Sequence, residues 1–267
     1  MTIRSENQPK LPPRPSPETI TFPVGVNTEL LAYGIVRPVM ITPFNPPHMC
    51  ICGASGSGKT FTERQVLGRI AQDPANLIVF ADYKGIDFPE YIGCKHYYRH
   101  NAVGNALELV VRIMNYRMAH PEASYLPLFF VFDEWSGFLS SLDKKAQDEA
   151  KKALSSLLML SRGASIALVL CMQRIDASNF GSSRDNIGTI LALGQLSQEA
   201  RRMIDADHKD MLTASGRGKG VLVTDGRLPI PVTIPDVRDM KALNGRIRSA
   251  LNQEINDSNT EVNDYGE

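Results

Sequence analysis

The sequence has no net charge: 29 lysines and arginines balance 29 aspartates and glutamates over 267 residues. That excludes a bulk basic footprint for nucleic acid, so any polyanion-binding surface must be local or arise on assembly. It also lacks a long apolar run. Nothing approaches the roughly 20 residues of a membrane-spanning helix, and the N-terminus has no signal-peptide apolar core. Cysteines are few: Cys50, Cys52, Cys94 and Cys171. None forms a C-x-x-C pair, and Cys50 and Cys171 sit inside apolar runs, which points to buried thiols in a reducing compartment and away from a metal site. There is no internal repeat. These absences describe a soluble, cytoplasmic chain with no direct membrane insertion. The apolar share of 43% suits a globular protein with a core, and the length allows one large α/β domain or two small ones.

What is present begins with Gly53-Ala54-Ser55-Gly56-Ser57-Gly58-Lys59-Thr60, which meets every fixed position of G-x-x-x-x-G-K-[ST]. The apolar run His48 to Cys52 precedes it, and a helical pattern from Thr60 to Gln72 follows. Strand, loop and helix are the context the motif needs. Its glycines let backbone N–H groups turn inward onto phosphate oxygens, and the helix N-terminus adds partial positive charge. Lys59 is placed to reach the β- and γ-phosphates of ATP, and Thr60 to hold Mg²⁺ through its hydroxyl.

Residues 1–23 are polar and rich in proline, which predicts an extended arm. Val24 to Thr42 alternates around Gly25 and Gly34 and reads as a lead-in hairpin. Further strands are expected at Asn76 to Asp82, Leu126 to Phe132, Ser165 to Met172, Thr189 to Leu193 and Gly220 to Val223, with an edge strand at Ile230 to Ile234 because Pro231 lacks a donor. Helices are expected over Asn101 to Tyr116 and Lys144 to Arg162. The alternation predicts a mostly parallel sheet flanked by helices, an α/β P-loop NTPase fold, with ligands at the carboxyl ends of strands. The motor domain is expected over residues 24–245 and a disordered acidic tail over 246–267.

Phe129-Phe130-Val131-Phe132-Asp133 is a Walker B pattern, an apolar strand ending in an aspartate that holds Mg²⁺. Glu134 follows directly, a carboxylate placed to polarise water for in-line attack on the γ-phosphate. That pair argues for hydrolysis over transfer to a small acceptor. No guanine-reading Asn-Lys-x-Asp segment is present. A strand lies in sequence between the two motifs, which favours the ATPase branch with a strand inserted between the Walker A and Walker B strands of a RecA-like sheet, a topology taken from that branch. Gln173, at the end of a later strand, is then a polar sensor of the γ-phosphate.

Together these segments resemble the motor domain of FtsK/SpoIIIE-type DNA translocases and the related conjugative coupling ATPases of the FtsK/HerA superfamily. Pro46 to Gly53 is similar to that family's Pro-His lead-in, Asp82-Tyr83-Lys84-Gly85 to its Asp-Pro-Lys-Gly turn, and Asp133-Glu134 to its Walker B pair. Arg162 to Arg174 resembles the segment ending in Gln-Arg, and Gly216 to Gly220 the Gly-Lys-Gly turn. The likeness spans about Gly25 to Val237. Tyr83 stands where the family has proline, and Ile175 follows Arg174 where proline is usual. The resemblance implies an ATPase coupled to movement of DNA, single- or double-stranded, in a hexameric ring. Arg201 then reaches a neighbour's nucleotide; the loop Ala177 to Arg184, flanked by Arg174, is a candidate channel loop, with an ordinary surface loop the alternative. With no winged-helix module or membrane span, it implies transfer of plasmid or mobile-element DNA, recruited by a relaxase or a membrane-anchored transfer partner. A genome-packaging or secretion ATPase shares these motifs. A nucleotide-gated adaptor is disfavoured by the intact Lys59, Asp133 and Glu134, and a small-molecule kinase by the lack of an arginine-rich lid.

Overall fold

A computed structural model describes residues 17–214 and 216–258. In chain order the elements are β1 (Phe22–Asn27), α1 (Thr28–Ala32), β2 (Pro38–Ile41), β3 (Met49–Gly53), α2 (Lys59–Ile70), β4 (Leu77–Asp82), β5 (Tyr97–Arg99), α3 (Val103–Ala119), β6 (Leu128–Asp133), α4 (Trp135–Ser141), α5 (Lys144–Leu160), β7 (Ile166–Met172), β8 (Thr189–Leu193), α6 (Gln198–Ile204), β9 (Lys219–Thr224), β10 (Ile230–Thr233) and α7 (Met240–Leu251). The strands form one ten-stranded sheet in the order β2-β1-β10-β9-β8-β3-β7-β6-β4-β5. Strands β8 to β5 in that order run parallel, and β9, β10, β1 and β2 extend the sheet antiparallel.

Parallel strands are covered on both faces, so they read as continuous apolar runs and not as alternation. β4, β6 and β7 are buried at every position. Helices α3, α4 and α5 cover one face, over Val79, Phe130, Phe132 and Leu168. Helices α2 and α7 cover the other, over Ile51, Ile78, Val131 and Val169. A Cβ on Gly68 of α2 would fall 2.0 Å from Leu243 Cδ1 of α7, so the Leu243 side chain rests directly on the glycine and a larger residue there would have to displace it.

The expected strand between the Walker A strand β3 and the Walker B strand β6 is present in the sheet and is β7; β4, which lies between them in sequence, is on the far side of β6. Other expectations are corrected. β10 is not an edge strand. It pairs with β9 and β1, and Pro231 is tolerated because β1 reaches only Val232 and Thr233. The arm's last residues belong to the fold: β1 starts at Phe22, which is buried with Val24. The rest of the arm, 1–16, lies outside the described residues. The tail does not start at 246, because α7 runs to Leu251. Asp239 caps that helix through Ala242 N, and Ile247, Ala250 and Leu251 are buried. Beyond it, Ile255 is buried, Glu254 pairs with Lys95, and Asp257 with Arg112 at 2.9 Å. Residues 259–267 lie outside the described residues. Strand β5 and helix α4 were not anticipated, being short and without a periodic pattern.

His48 shows how the Pro-His lead-in works. It is 1% exposed, with a left-handed φ of 62°. Its Nδ1 accepts from Leu168 N at 3.1 Å, so Nε2 carries the proton and donates to Leu158 O at 3.1 Å. One neutral ring thus joins the start of β3 to β7 and α5. Burial first, opposed by the bond to Leu158 and helped by nearby Arg162, lowers its pKa from 6.5 to about 4. Between those values the unfolded chain binds the proton and the folded one does not, so stability falls as pH falls through that window. Urea unfolding from neutral pH to pH 4 should therefore lose about 3 kcal/mol attributable to this group. A His48→Gln variant should be less stable at neutral pH and show a flatter pH dependence; equal slopes in the two proteins would contradict the assignment.

Candidate nucleotide site

The phosphate loop leaves β3 through Gly53, whose φ is 156°. A Cβ there would stand 2.5 Å from Leu193 O and 2.7 Å from Ser57 Oγ. Gly58 caps α2 with φ 102°, again a conformation that L side chains rarely adopt. Ala54, Ser55 and Gly56 are exposed, while Ser57 is buried with its Oγ unpartnered. Lys59 Nζ donates to Gly53 O at 2.8 Å and to Ala54 O at 3.4 Å. The ammonium is folded onto the loop's own carbonyls, in the space a phosphate chain would fill. Thr60 is the second residue of α2 and is half-buried.

The Gly216–Gly220 turn, noted in the sequence only as a likeness, braces this loop. Gly218 N donates to Ser57 O at 3.0 Å, and Ile234 N donates to Gly218 O at 2.7 Å. A Cβ on Gly58 would lie 3.2 Å from Gly218 N, so both glycines serve one close approach.

Sheet register assembles the acidic half. Asp82 of β4 is opposite Asp133 of β6, which is opposite Cys171 of β7, which is opposite Ile51 of β3. All of these strands end at the same edge as the phosphate loop. Asp133 and Glu134 are 5% and 6% exposed. Burial, then Asp82 and Glu134, push the Asp133 carboxyl up to about 8, with Lys84 acting against them. Asp82 is fully buried; its Oδ1 accepts from Gly85 N at 2.8 Å and its Oδ2 from Tyr97 OH at 2.6 Å. The turn holding Lys84 is thereby fixed.

Glu134 has φ 57° and ψ 46°, a left-handed conformation costly for a non-glycine residue and a mark of a constrained site. Its N–H donates to Cys171 O at 2.9 Å. Its Oε1 lies 3.3 Å from Lys84 Nζ, which is also 3.8 Å from Asp87 Oδ2. Burial alone would lower the Lys84 pKa, but Glu134, Asp133 and Asp87 outweigh it and hold the ammonium above its usual value. Tyr83 packs against Phe138, and its N–H donates to Asp133 O at 3.4 Å, a bond the family's proline could not make.

Gln173 is exposed just beyond β7, so it stands between the ends of the Walker A and Walker B strands. Arg201 is not brought to this cluster within the chain. It lies on α6, its Nε donating to Leu196 O at 3.4 Å, beside a cavity of about 150 Å³ lined by Gln198, Arg202, Lys209 and Asp210. The 177–184 segment is partly packed: Phe180 is 1% exposed, Trp135 Nε1 donates to Asn179 O at 3.1 Å, and Asn179 Nδ2 donates to Ser136 Oγ at 2.9 Å.

One site residue was missed. Glu63, one turn beyond Thr60 on α2, is 0% exposed, and neither carboxylate oxygen has a well-formed hydrogen bond, the weakly donating Cys171 thiol lying beside them. Its charge on an otherwise buried helix face was the available signal. Burial and then Asp133 push its carboxyl well above the usual range, against the Cys171 thiol beside it. Among the described residues, Lys84 is the cation that acts on Asp133 and Glu134, and Arg99 lies opposite Asp82 in the sheet. Carboxylate and hydroxyl oxygens of this kind suit a hard divalent cation.

This strand order, loop and acidic edge make the chain a P-loop NTPase fold. It is 30% identical over 193 residues to the FtsK domain-containing protein YdcQ of Bacillus subtilis (strain 168), a match covering 65% of this chain and 40% of that protein. The resemblance to FtsK-type ATPases is borne out. No family model matches. Among solved structures, the pCW3 conjugation coupling protein TcpA, in its monomer form with ATPγS, superposes with a TM-score of 0.66 at 19% identity, covering 86% of this chain and 70% of that one. The cytoplasmic domain of the Thermomonospora curvata type VII secretion ATPase EccC gives 0.63 at 22% identity, covering 90% and 32%. EssC (ATPases 2 and 3) of Geobacillus thermodenitrificans gives 0.66 at 14%, covering 91% and 51%. The chain thus spans 40% of its curated relative and about a third of the EccC chain. Among the described residues no helix is long and apolar enough to cross a membrane.

Replacing Gly53 with alanine should cost about 2 kcal/mol or more of stability, from left-handed strain and the approach to Leu193 O. It should also weaken binding of a fluorescent ATP analogue at least tenfold in protein that remains folded. Unchanged affinity would mean the loop tolerates a different path.

Proposed function

We propose that the chain is the motor domain of an ATP-driven DNA translocase acting in transfer of plasmid or mobile-element DNA. The observation that carries this reading is Glu134: a buried carboxylate in a strained backbone, directly after Asp133, at the strand edge that also carries the phosphate loop. A binding-only module has no need of such a residue. The FtsK-type match in YdcQ and the fold shared with the coupling protein TcpA support the choice of DNA as polymer.

In this reading the loop amides and Lys59 hold the triphosphate, and Lys59 exchanges its bonds to Gly53 O and Ala54 O for phosphate oxygens. Thr60 and Asp133 hold Mg²⁺, which neutralises phosphate charge when bound. Glu134 takes the proton of the attacking water, and Lys84 sets where its carboxylate rests before that. Gln173 senses the γ-phosphate from its place between the strands. Arg201 acts on the nucleotide of the next subunit in a hexameric ring; among the described residues its own bond is to Leu196 O, and it lines a cavity with Gln198, Arg202, Lys209 and Asp210. The 177–184 loop meets DNA, tied through Asn179 to Trp135 and so to the backbone of Glu134. A relaxase or a membrane-anchored transfer component is the recruiting partner. EccC and EssC share the fold as well, so protein is the rival polymer.

Lys59→Ala and Glu134→Gln should each lower phosphate release by at least ~10²-fold. Only the glutamine variant should keep wild-type ATP affinity; if it loses binding, Glu134 is not the base. Mixed Lys59→Ala and Arg201→Ala subunits should recover part of the turnover, because intact half-sites meet at some interfaces. Single- and double-stranded DNA should be compared as activators, with activation falling steeply as salt rises. Turnover indifferent to both would remove DNA from the reading and favour protein export.

A further inference from the structure

Between α2 and the sheet, Glu63, Asp133 and Cys171 place two carboxylate oxygens and a sulfur within 4.8 Å of one another. Glu63 and Cys171 are 0% exposed. Register fixes two of the three, because Asp133 and Cys171 are opposite residues on neighbouring strands. The third comes from α2, whose buried face turns Glu63 onto the same sheet surface. Two features separate this cluster from an accidental group of acids. Glu63 is fully buried, and the Cys171 thiol, a weak donor beside it, is the sole contact offered to its oxygens among the described residues, an arrangement costly to leave so poorly compensated. The cluster also contains a sulfur donor, which a magnesium site has no use for.

We propose that Glu63, Asp133 and Cys171 bind a borderline-soft divalent cation, of which Zn²⁺ is the natural example. Zinc takes thiolate and carboxylate ligands together, and tetrahedral geometry holds such sulfur and oxygen ligands about 3.6 Å apart. The three atoms therefore need close by only about an ångström. Coordination releases the thiol proton and any carboxyl proton to solvent. Asp133, 5% exposed, is the member through which the cation enters and toward which a fourth ligand, water, stands. The other cysteines are elsewhere: Cys50 and Cys52 pack on the opposite face of the sheet, and Cys94 is held by α7 through Asn252.

Occupancy takes Asp133 away from magnesium. Zinc is then a brake on the nucleotide site that competes with Mg²⁺ and not with ATP. This consequence rests on the role proposed above for Asp133; the cation site itself does not.

The test uses the full, reduced, nucleotide-free chain and Cd²⁺ alone as the spectroscopic substitute for zinc. A cysteine-to-cadmium charge-transfer band should grow and saturate at one equivalent. Cys94→Ser should keep it and Cys171→Ser should abolish it. Glu63→Gln, which retains every thiol and guards against a folding defect at position 171, should bind at least tenfold more weakly in competition with a chelator. Absence of a saturable band in the wild type, or a band unchanged in both Cys171→Ser and Glu63→Gln, would overturn the proposal. Because no nucleotide is present, a chain that hydrolyses no ATP still gives a clear answer.

Discussion

An excess of buried negative charge organises this molecule. Four carboxylates, those of Glu63, Asp82, Asp133 and Glu134, meet within one edge of the sheet, where Lys84 partly offsets Asp133 and Glu134. Ionised carboxylates are costly away from water, so each is either partnered or made neutral. Asp82 solves this with the Gly85 amide and Tyr97 hydroxyl. Glu134 solves it with Lys84. Asp133 and Glu63 do not solve it, and their carboxyls rise out of the usual range. A site with that imbalance is built to receive cations, and the fold supplies the geometry by running β4, β6 and β7 in register to the same level.

The rigid parts around the edge explain why it stays assembled. His48 ties β3 to β7 and α5 by two bonds from a single neutral ring. Arg64 of α2 holds Glu90 at 2.7 Å and Asp87 O at 2.9 Å, anchoring the segment that carries Lys84. On the other side, the 216–220 turn is bonded to the phosphate loop at Ser57. Strain at Glu134 and left-handed geometry at Gly53 and Gly58 are sustained by this frame.

Legibility followed the physics of each signal. The phosphate loop, the parallel strands and the Asp133-Glu134 pair stood out because glycine spacing and continuous apolar runs are local properties. What escaped depends on pairing between distant segments. Pro231 suggested an edge strand, and only the short reach of β1 shows how an interior strand accommodates it. The limit at residue 245 followed acidic composition, whereas the apolar face of α7 decides where order continues. Glu63 was overlooked because one charge in a helix normally faces water. Here the helix packs against an acidic strand end. The His48 motif was visible as a likeness, but its role as a three-way bridge was not.

The same frame constrains how a local event at Glu134 can travel. Glu134 is the cap of α4, and Trp135 is its first residue. Trp135 is 0% exposed, packed at right angles against Phe132, 5.2 Å between centroids. Close-packed side chains do not deform continuously, so a change of backbone conformation at Glu134 moves the indole as a unit. The first group beyond the core that this indole touches by a directed bond is Asn179 O, and Asn179 returns a second bond to Ser136. The neighbouring Phe180 is buried and holds its end of the segment in place. The segment 177–180 is thus tied to the Glu134 end of β6 at two points, the bond from Trp135 Nε1 to Asn179 O and the buried ring of Phe180, and neither end of that tie is a free hinge.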